Sequence, residues 1–339
     1  MEISAIILAA GKGTRMKSEL PKCAHIIIDK PMVEYVVDSL REVKIQNVIT
    51  IIGYGKEKIK ELLQNKNVKF AVQEEQLGTA HAVMQAQPLL EDKDGITIIA
   101  IGDMPFIKRE TFYALIINHI QECADLTVLT VEHPQPHGYG RIIRDDNGQV
   151  LAIVEERDCT KEQASIREIN SSVYAVDNQK LFKYINKIKR ENDQNEYYLT
   201  DLVKVFNENG LKVSGYKTSN FYELSGINNK LQLAEMEQEY QKKIIETHLL
   251  NGVTIHNPQT VSIGKDVKIA PGVEIHSNTL ILGKTVLEED VIVGPCSQIR
   301  DCIVKRGATI SNSIVNNSII EENSVVGPFQ KIEGLSKNN

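Results

Sequence analysis

Residues 8–16 read Leu-Ala-Ala-Gly-Lys-Gly-Thr-Arg-Met, and Pro21-Lys22 follows closely. Small residues let backbone N–H groups approach a polyphosphate, and Lys12, Arg15 and Lys22 bring positive charge to meet it. The short apolar run at 3–8 leads into this turn, so a strand delivers it. A P-loop would end in Gly-Lys-Ser/Thr, but in Gly11-Lys12-Gly13-Thr14 the lysine precedes the second glycine. Gly-x-Gly-x-x-Gly is also absent, because Met16 holds the place of the third glycine. Neither the P-loop nor the dinucleotide signature is supported.

Other positions carry matching chemistry. Asp103 sits in Ile101-Gly-Asp-Met-Pro105. A carboxylate at a strand end, freed by one glycine and turned by a proline, suits a hard cation that keeps several waters and binds phosphates. Gln73 and the pair Gly78-Thr79 offer the donors and acceptors that a base edge requires. The eight histidines are not read as a metal-binding cluster, so no zinc site is expected. His25, His81 and His119 are expected to pack or to hydrogen-bond. Five scattered cysteines without a Cys-x-x-Cys read as reduced thiols of a cytoplasmic protein. The net charge of −6 provides no general attraction to nucleic acid or to an anionic membrane. The first apolar run is too short to span a bilayer, and its basic residues follow it, so no signal peptide is expected.

A length of 339 residues suggests about two domains. Strand-like runs at 3–8, 48–53, 69–73, 96–101 and 126–131 alternate with helix-like runs at 31–43, 55–64, 79–90 and 108–120. This alternation predicts a Rossmann-like α/β domain over 1–228 with a mostly parallel sheet. Ligands of such sheets bind outside the carboxyl ends of the strands, where both Gly11–Arg15 and Gly102-Asp103 fall. Residues 229–250 read as a connecting helix with one apolar face. Beyond Val253 the period changes: Ile263, Ile269, Ile275, Ile281, Leu287, Val293 and Ile299 recur at intervals of six. The count slips by one at Val304 and continues through Ile310, Val315, Ile320, Val326 and Ile332. A triangular β-helix sustains this period, with one inward aliphatic per flat side. The region 251–335 therefore resembles a hexapeptide-repeat left-handed β-helix, truncated to about four coils.

The glycine turn with its Pro-Lys is similar to the signature of sugar-1-phosphate nucleotidylyltransferases. The whole chain resembles the bacterial bifunctional N-acetylglucosamine-1-phosphate uridylyltransferase/glucosamine-1-phosphate acetyltransferase family. This resemblance covers the first domain, the connector and the opening coils. It implies that Leu8, Ala9, Gly11 and Gly13 bind the uracil and ribose-phosphate side, with Gln73, Gly78 and Thr79 at the uracil edge. Arg15 and Lys22 would hold the triphosphate and act in catalysis. Asp103 and Asn228 would ligate Mg2+, and Asn228 also suits a helix N-cap. Gly140, Glu155, Asn170, Tyr198 and Thr200 would line the sugar pocket. Two departures bear on that pocket: Ser171-Ser172 replace the usual Thr-Gly after Asn170, and Ser225 stands where an acidic residue is usual.

The implied reaction joins UTP and N-acetylglucosamine-1-phosphate into UDP-N-acetylglucosamine and pyrophosphate, in a homotrimer with no nucleic-acid or membrane partner. Acetyl transfer is not expected, since the family's catalytic histidine and coenzyme A contacts belong to later coils. Alternatives are a glucose-1-phosphate uridylyl- or thymidylyltransferase, a non-catalytic nucleotide-sugar-binding assembly subunit, and an acyltransferase suggested by the repeat alone.

Overall fold

The computed structural model describes residues 2–334, so the end of the repeat region at residue 335 lies outside the described residues. The chain divides into two compact units, one of Met1–His25 with Pro31–Lys230 and one of Ile26–Lys30 with Leu231–Asn339.

In the first unit, strand β1 (Ile3–Ala9) is central. It is followed by helix α1 (Met32–Glu42), β2 (Asn47–Ile52), α2 (Lys56–Leu63), β3 (Lys69–Val72), α3 (Thr79–Met84), β4 (Ile96–Ile101) and α4 (Arg109–Gln121). Then come β5 (Leu126–Glu132), the hairpin β6 (Arg141–Arg144) and β7 (Val150–Val154), β8 (Glu168–Asp177) and β9 (Val213–Thr218). The sheet order is β9-β5-β8-β4-β1-β2-β3, with the hairpin attached to β8. All neighbours along this path are parallel except β8, which runs antiparallel to both β4 and β5.

Both faces of this sheet are covered, which explains why its central strands are buried on both sides and mostly apolar rather than alternating. Ala5, Ile7 and Ala9 of β1 join one buried cluster with Val48, Ile98 and Ala100. Ile6 joins the other with Ile49, Ile51 and Ile99. Parallel register aligns Leu8 with both Ile51 and Ile101, so the segments after three strands emerge side by side. Backbone bonds tie them there: Gly102 N–H donates to Leu8 O at 2.9 Å, and Tyr54 N–H to Ala10 O at 3.0 Å.

The run at 79–90 forms two helical pieces, Thr79–Met84 and Gln87–Leu90. Pro88 lies in the first turn of the second piece, and a proline there cannot continue a preceding helix. Strand β8 carries a bulge between Asn170 and Tyr174. Within it Ser172 adopts φ +61°, while its N–H donates to Asn170 Oδ1 at 3.0 Å. The serine thus takes the left-handed backbone that glycine would adopt without strain.

Helix α5 (Lys230–Leu250) does not present a single apolar face. At about 100° per residue, Leu231 and Leu249 fall opposite Met236, Tyr240 and Ile244. Ile245 is its one fully buried residue, whereas Leu231, Leu249 and Leu250 are exposed.

Among the described residues, the second unit contains fourteen short parallel strands in three stacked sheets. Ile263 pairs with Ile281, which pairs with Ile299, and the aliphatics read at intervals of six fill one interior cluster. Coils shorten up the stack: Ile275 opposes Val293, but Ile310 opposes Val326, and the slip at Val304 is the first shortened step. The arrangement is consistent with the left-handed hexapeptide β-helix. Within this unit Asp29 accepts from Gly283 N–H at 2.9 Å, Glu237 accepts from Ile28 N–H at 2.7 Å, and Lys30 pairs with Asp266. A Ser172→Gly variant is expected to gain about 1 kcal/mol in chemical denaturation by removing left-handed strain.

Candidate active site

A cavity of about 320 Å³ opens at the carboxyl ends of the parallel strands. Leu8, Ala9, Gly11, Gly13, Lys22, Gln73, Gly78 and Thr79 all line it, together with Asp103. Two glycines are demanded by geometry. Gly13 has φ +68°, and a Cβ there would lie 2.5 Å from Lys22 Cβ. Gly78 has φ +118°, and its Cβ would meet the Tyr197 carbonyl oxygen at 2.5 Å. The first packs the turn directly against Lys22, and the second clips the 76–79 loop onto 197–199. That clip is completed by Ala80 N–H to Tyr197 O at 2.9 Å and Leu199 N–H to Thr79 Oγ1 at 2.9 Å.

A compact charge cluster lies at the cavity wall. The Lys22 ammonium pairs with the Asp103 carboxylate and donates to Asn228 Oδ1 at 2.6 Å. Arg15 Nη2 donates to the same amide oxygen at 2.9 Å. Arg15 rides on the short turn Thr14–Met16, anchored by buried Met16. Ile227 N–H donates to the Asp103 carbonyl at 3.1 Å, which seats the 225–228 loop beside the end of β4. Asp103 Oδ1 is buried without a hydrogen-bond partner, and an unsatisfied buried carboxylate oxygen is costly. This orphaned oxygen, and the convergence of Asp103 and Asn228 oxygens on one cationic nitrogen, fit a magnesium ion, which prefers oxygen donors.

At the inner wall Gln73 is buried, and its amide nitrogen donates to Gly78 O at 3.0 Å and lies 3.1 Å from His81 Nδ1. Gln76 in turn donates to the Gln73 carbonyl at 3.1 Å. The amide that faces the cavity is therefore orientationally fixed.

The residues assigned to a sugar also come together. Thr200 Oγ1 donates to Glu155 Oε1 at 3.2 Å, and a Cβ on Gly140 would lie 3.5 Å from the Glu155 carboxylate. Asn170 N–H donates to Gly140 O at 2.9 Å, and its side chain donates to Tyr174 Oη at 2.9 Å. Burial pushes the Glu155 carboxyl above its ordinary range, against the opposing Thr200 hydrogen bond. Burial and then the Asp158 and Glu155 charges push the Tyr198 phenol up to about 12, so it stays a neutral hydroxyl.

Two contributors escape sequence reasoning, and a third, His81, was expected only to pack or to hydrogen-bond. Glu196 lines the cavity, and fully buried Arg141 donates to the Tyr139 carbonyl and stands near Glu156 at 3.4 Å. His81 holds Gln73 from one side and Gln85 at 3.2 Å from the other. Only the run Gly138-Tyr-Gly-Arg141 hinted at the arginine, since nothing in a sequence marks a cation as buried.

Cys23 also lines the cavity, and burial, then the Asp103 charge, push its thiol up to about 12. It is therefore no nucleophile at neutral pH. Titration of the native protein with a thiol reagent should modify exposed Cys123 and Cys296 rapidly, and Cys23 and Cys302 only after unfolding.

A nucleotidyl transferase family model matches residues 4–222. The chain is 43% identical over 333 residues to the bifunctional protein GlmU of Geobacillus sp. (strain WCH70), covering 98% of this chain and 72% of that protein. It is 42% identical to the bifunctional protein GlmU of Brevibacillus brevis (97% and 71% covered) and 42% identical to that of Clostridium novyi (98% and 73%). The turn, the β4 carboxylate and the coiled C-terminal unit thus stand in a chain that belongs to the nucleotidyl transferases, in the family of the bifunctional GlmU proteins.

Proposed function

We propose that this chain transfers a uridylyl group from UTP to N-acetylglucosamine-1-phosphate, releasing pyrophosphate. One observation carries the reading: Lys22 stands between Asp103 and Asn228, with Arg15 on the same amide oxygen, at the wall of a cavity lined by the glycine turn. Membership of the nucleotidyl transferase family supports the reaction class.

In this reading the turn at Gly11 and Gly13 cradles the triphosphate, and Gln73 with Gly78 and Thr79 holds the uracil edge. Glu155, Asn170 and Thr200, with Gly140 and Tyr198, orient the sugar hydroxyls. The sugar phosphate oxygen attacks the α-phosphorus in line, and pyrophosphate leaves. The attacking oxygen is already anionic, so no side-chain nucleophile is required, in keeping with an inert Cys23. Two anionic reactants repel by about 4 kcal/mol per pair of unit charges at ~4 Å and an effective dielectric near 20. Arg15 and Lys22 offset that repulsion at fixed positions, which is electrostatic preorganisation. Asp103 and Asn228 would hold Mg2+, which supplies further charge neutralisation to the phosphates when bound. The Lys22 ammonium, at the cavity wall beside Asp103, would be within reach of the phosphates.

The coiled unit is proposed to assemble a homotrimer. Its outward positions include exposed Ile303, Ile314, Ile319 and Val325, which support an interface. Five free cysteines support a reducing, cytoplasmic setting, and no helix among the described residues is long and apolar enough to cross a membrane. Acetyl transfer to glucosamine-1-phosphate is not part of the proposal for these 339 residues.

Pyrophosphate release across a panel of nucleotides and sugar phosphates is expected to be highest with UTP and N-acetylglucosamine-1-phosphate. Highest turnover with glucose-1-phosphate or dTTP would transfer the proposal to a sister specificity. Lys22→Ala should lower kcat by roughly 10²–10³-fold, and Asp103→Ala should abolish metal-dependent turnover; full activity in both variants would refute the assignment. Light scattering on the eluted protein should report a mass three times the 38.0 kDa chain, and a monomer would remove the assembly claim.

A further inference from the structure

We propose that His256, Glu274 and His276, on the outer surface of the first coils of the β-helix, bind one divalent transition-metal ion of the zinc class. Their ligating atoms lie within 4.8 Å of one another. Glu274 Oε1 is 2.9 Å from His256 Nε2 and 3.1 Å from His276 Nε2. The two imidazoles stack with centroids 4.8 Å apart and an interplanar angle of 20°.

This convergence is built by the ladder. Ile255 pairs with Ile275 and Thr254 with Glu274, so positions 256 and 276 stand in register on adjacent strands. His256 N–H donates to Ile275 O at 2.8 Å, and His276 N–H to Val293 O at 2.8 Å, which fixes both backbones. The separation of 256 from 276 exceeds the 18 residues that separate Ile263 from Ile281, because the short turn Pro258–Thr260 is accommodated in that coil. A search of the sequence for His-x-x-x-His does not reach a site of this kind. A β-helix brings together residues one coil apart rather than one helical turn apart.

The donor set selects the ion. Two imidazoles and a carboxylate suit zinc, cobalt or nickel, whereas magnesium and calcium prefer oxygen alone. Zinc bonds of about 2.0–2.1 Å place tetrahedral ligand atoms about 3.3 Å apart. The Glu274 contacts already lie near that spacing. All three side chains retain solvent access, so water can complete the tetrahedron. The strand Thr254–Ile255 is the outermost of its sheet and has one ladder neighbour. An ion held by His256, Glu274 and His276 would clip this end strand to the next coil, stabilising the folded unit by linkage.

The test uses Co2+ as a spectroscopic probe on the full chain, reduced and saturated with Mg2+, followed by displacement with Zn2+. The expected result is one Co2+ per chain with the intense visible band of a tetrahedral site, bleached by Zn2+. His256→Ala, His276→Ala and Glu274→Gln should each weaken binding at least about tenfold. His256→Ala should leave pyrophosphate release unchanged. Added Zn2+ should raise the Tm of the native chain and not that of the His256→Ala/His276→Ala double variant. A Cys296→Ser variant, which removes the exposed thiol nearest this region, should keep the band. Absence of stoichiometric binding, binding indifferent to the histidine pair, or a band lost with Cys296 would each overturn the proposal.

Discussion

The Lys22 ammonium, held between the Asp103 carboxylate and the Asn228 amide oxygen, is the interaction on which the site depends. It joins three chain segments that are remote in sequence: the end of the glycine turn, the end of β4, and the loop before α5. Each arrives there for a separate physical reason. Gly13 allows the turn to touch Lys22, parallel register places residue 102 beside Leu8, and the Ile227 N–H binds the loop to the Asp103 carbonyl. Removing the lysine would leave a partly buried carboxylate without its cation, and in the proposed reaction the same nitrogen would also neutralise phosphate charge.

The two units solve the burial problem in different ways. The first covers both faces of its sheet, so its central strands are buried on both sides, with aliphatics joined by a few buried threonines and serines. The second stacks short strands around one interior, so only one position in about six must be aliphatic. Its outward positions are left free to vary. That freedom is what permits the His256–Glu274–His276 grouping, because outward side chains one coil apart are held in contact by the ladder without any cost to the core.

The large-scale plan was legible because it rests on period. The five strands and most helices read from alternation appear within a residue or two, and the aliphatics at intervals of six are the interior of the coils. The glycine turn was legible as a contiguous motif, and it lines one cavity together with Lys22, Gln73, Gly78 and Thr79. What was not legible depends on non-local partners. Strand β8 lacks a distinctive pattern because it is buried between β4 and β5 and interrupted by its own bulge. The burial of Arg141 and the clamp of His81 on Gln73 follow from tertiary packing that no local pattern marks. The break before Pro88 was visible in principle, since proline cannot extend the helix that precedes it. Ser172 shows the reverse case: its serine hid a left-handed position that a glycine would have announced.

The most direct measurement is a crystal structure of the chain soaked with UTP and Mg2+. The account predicts triphosphate density over the Gly11–Gly13 turn, metal density at Asp103 and Asn228, and the Lys22 ammonium turned from Asp103 toward phosphate oxygen. Nucleotide density elsewhere, or an Asp103–Lys22 pair left intact beside an empty cavity at saturating nucleotide, would contradict it.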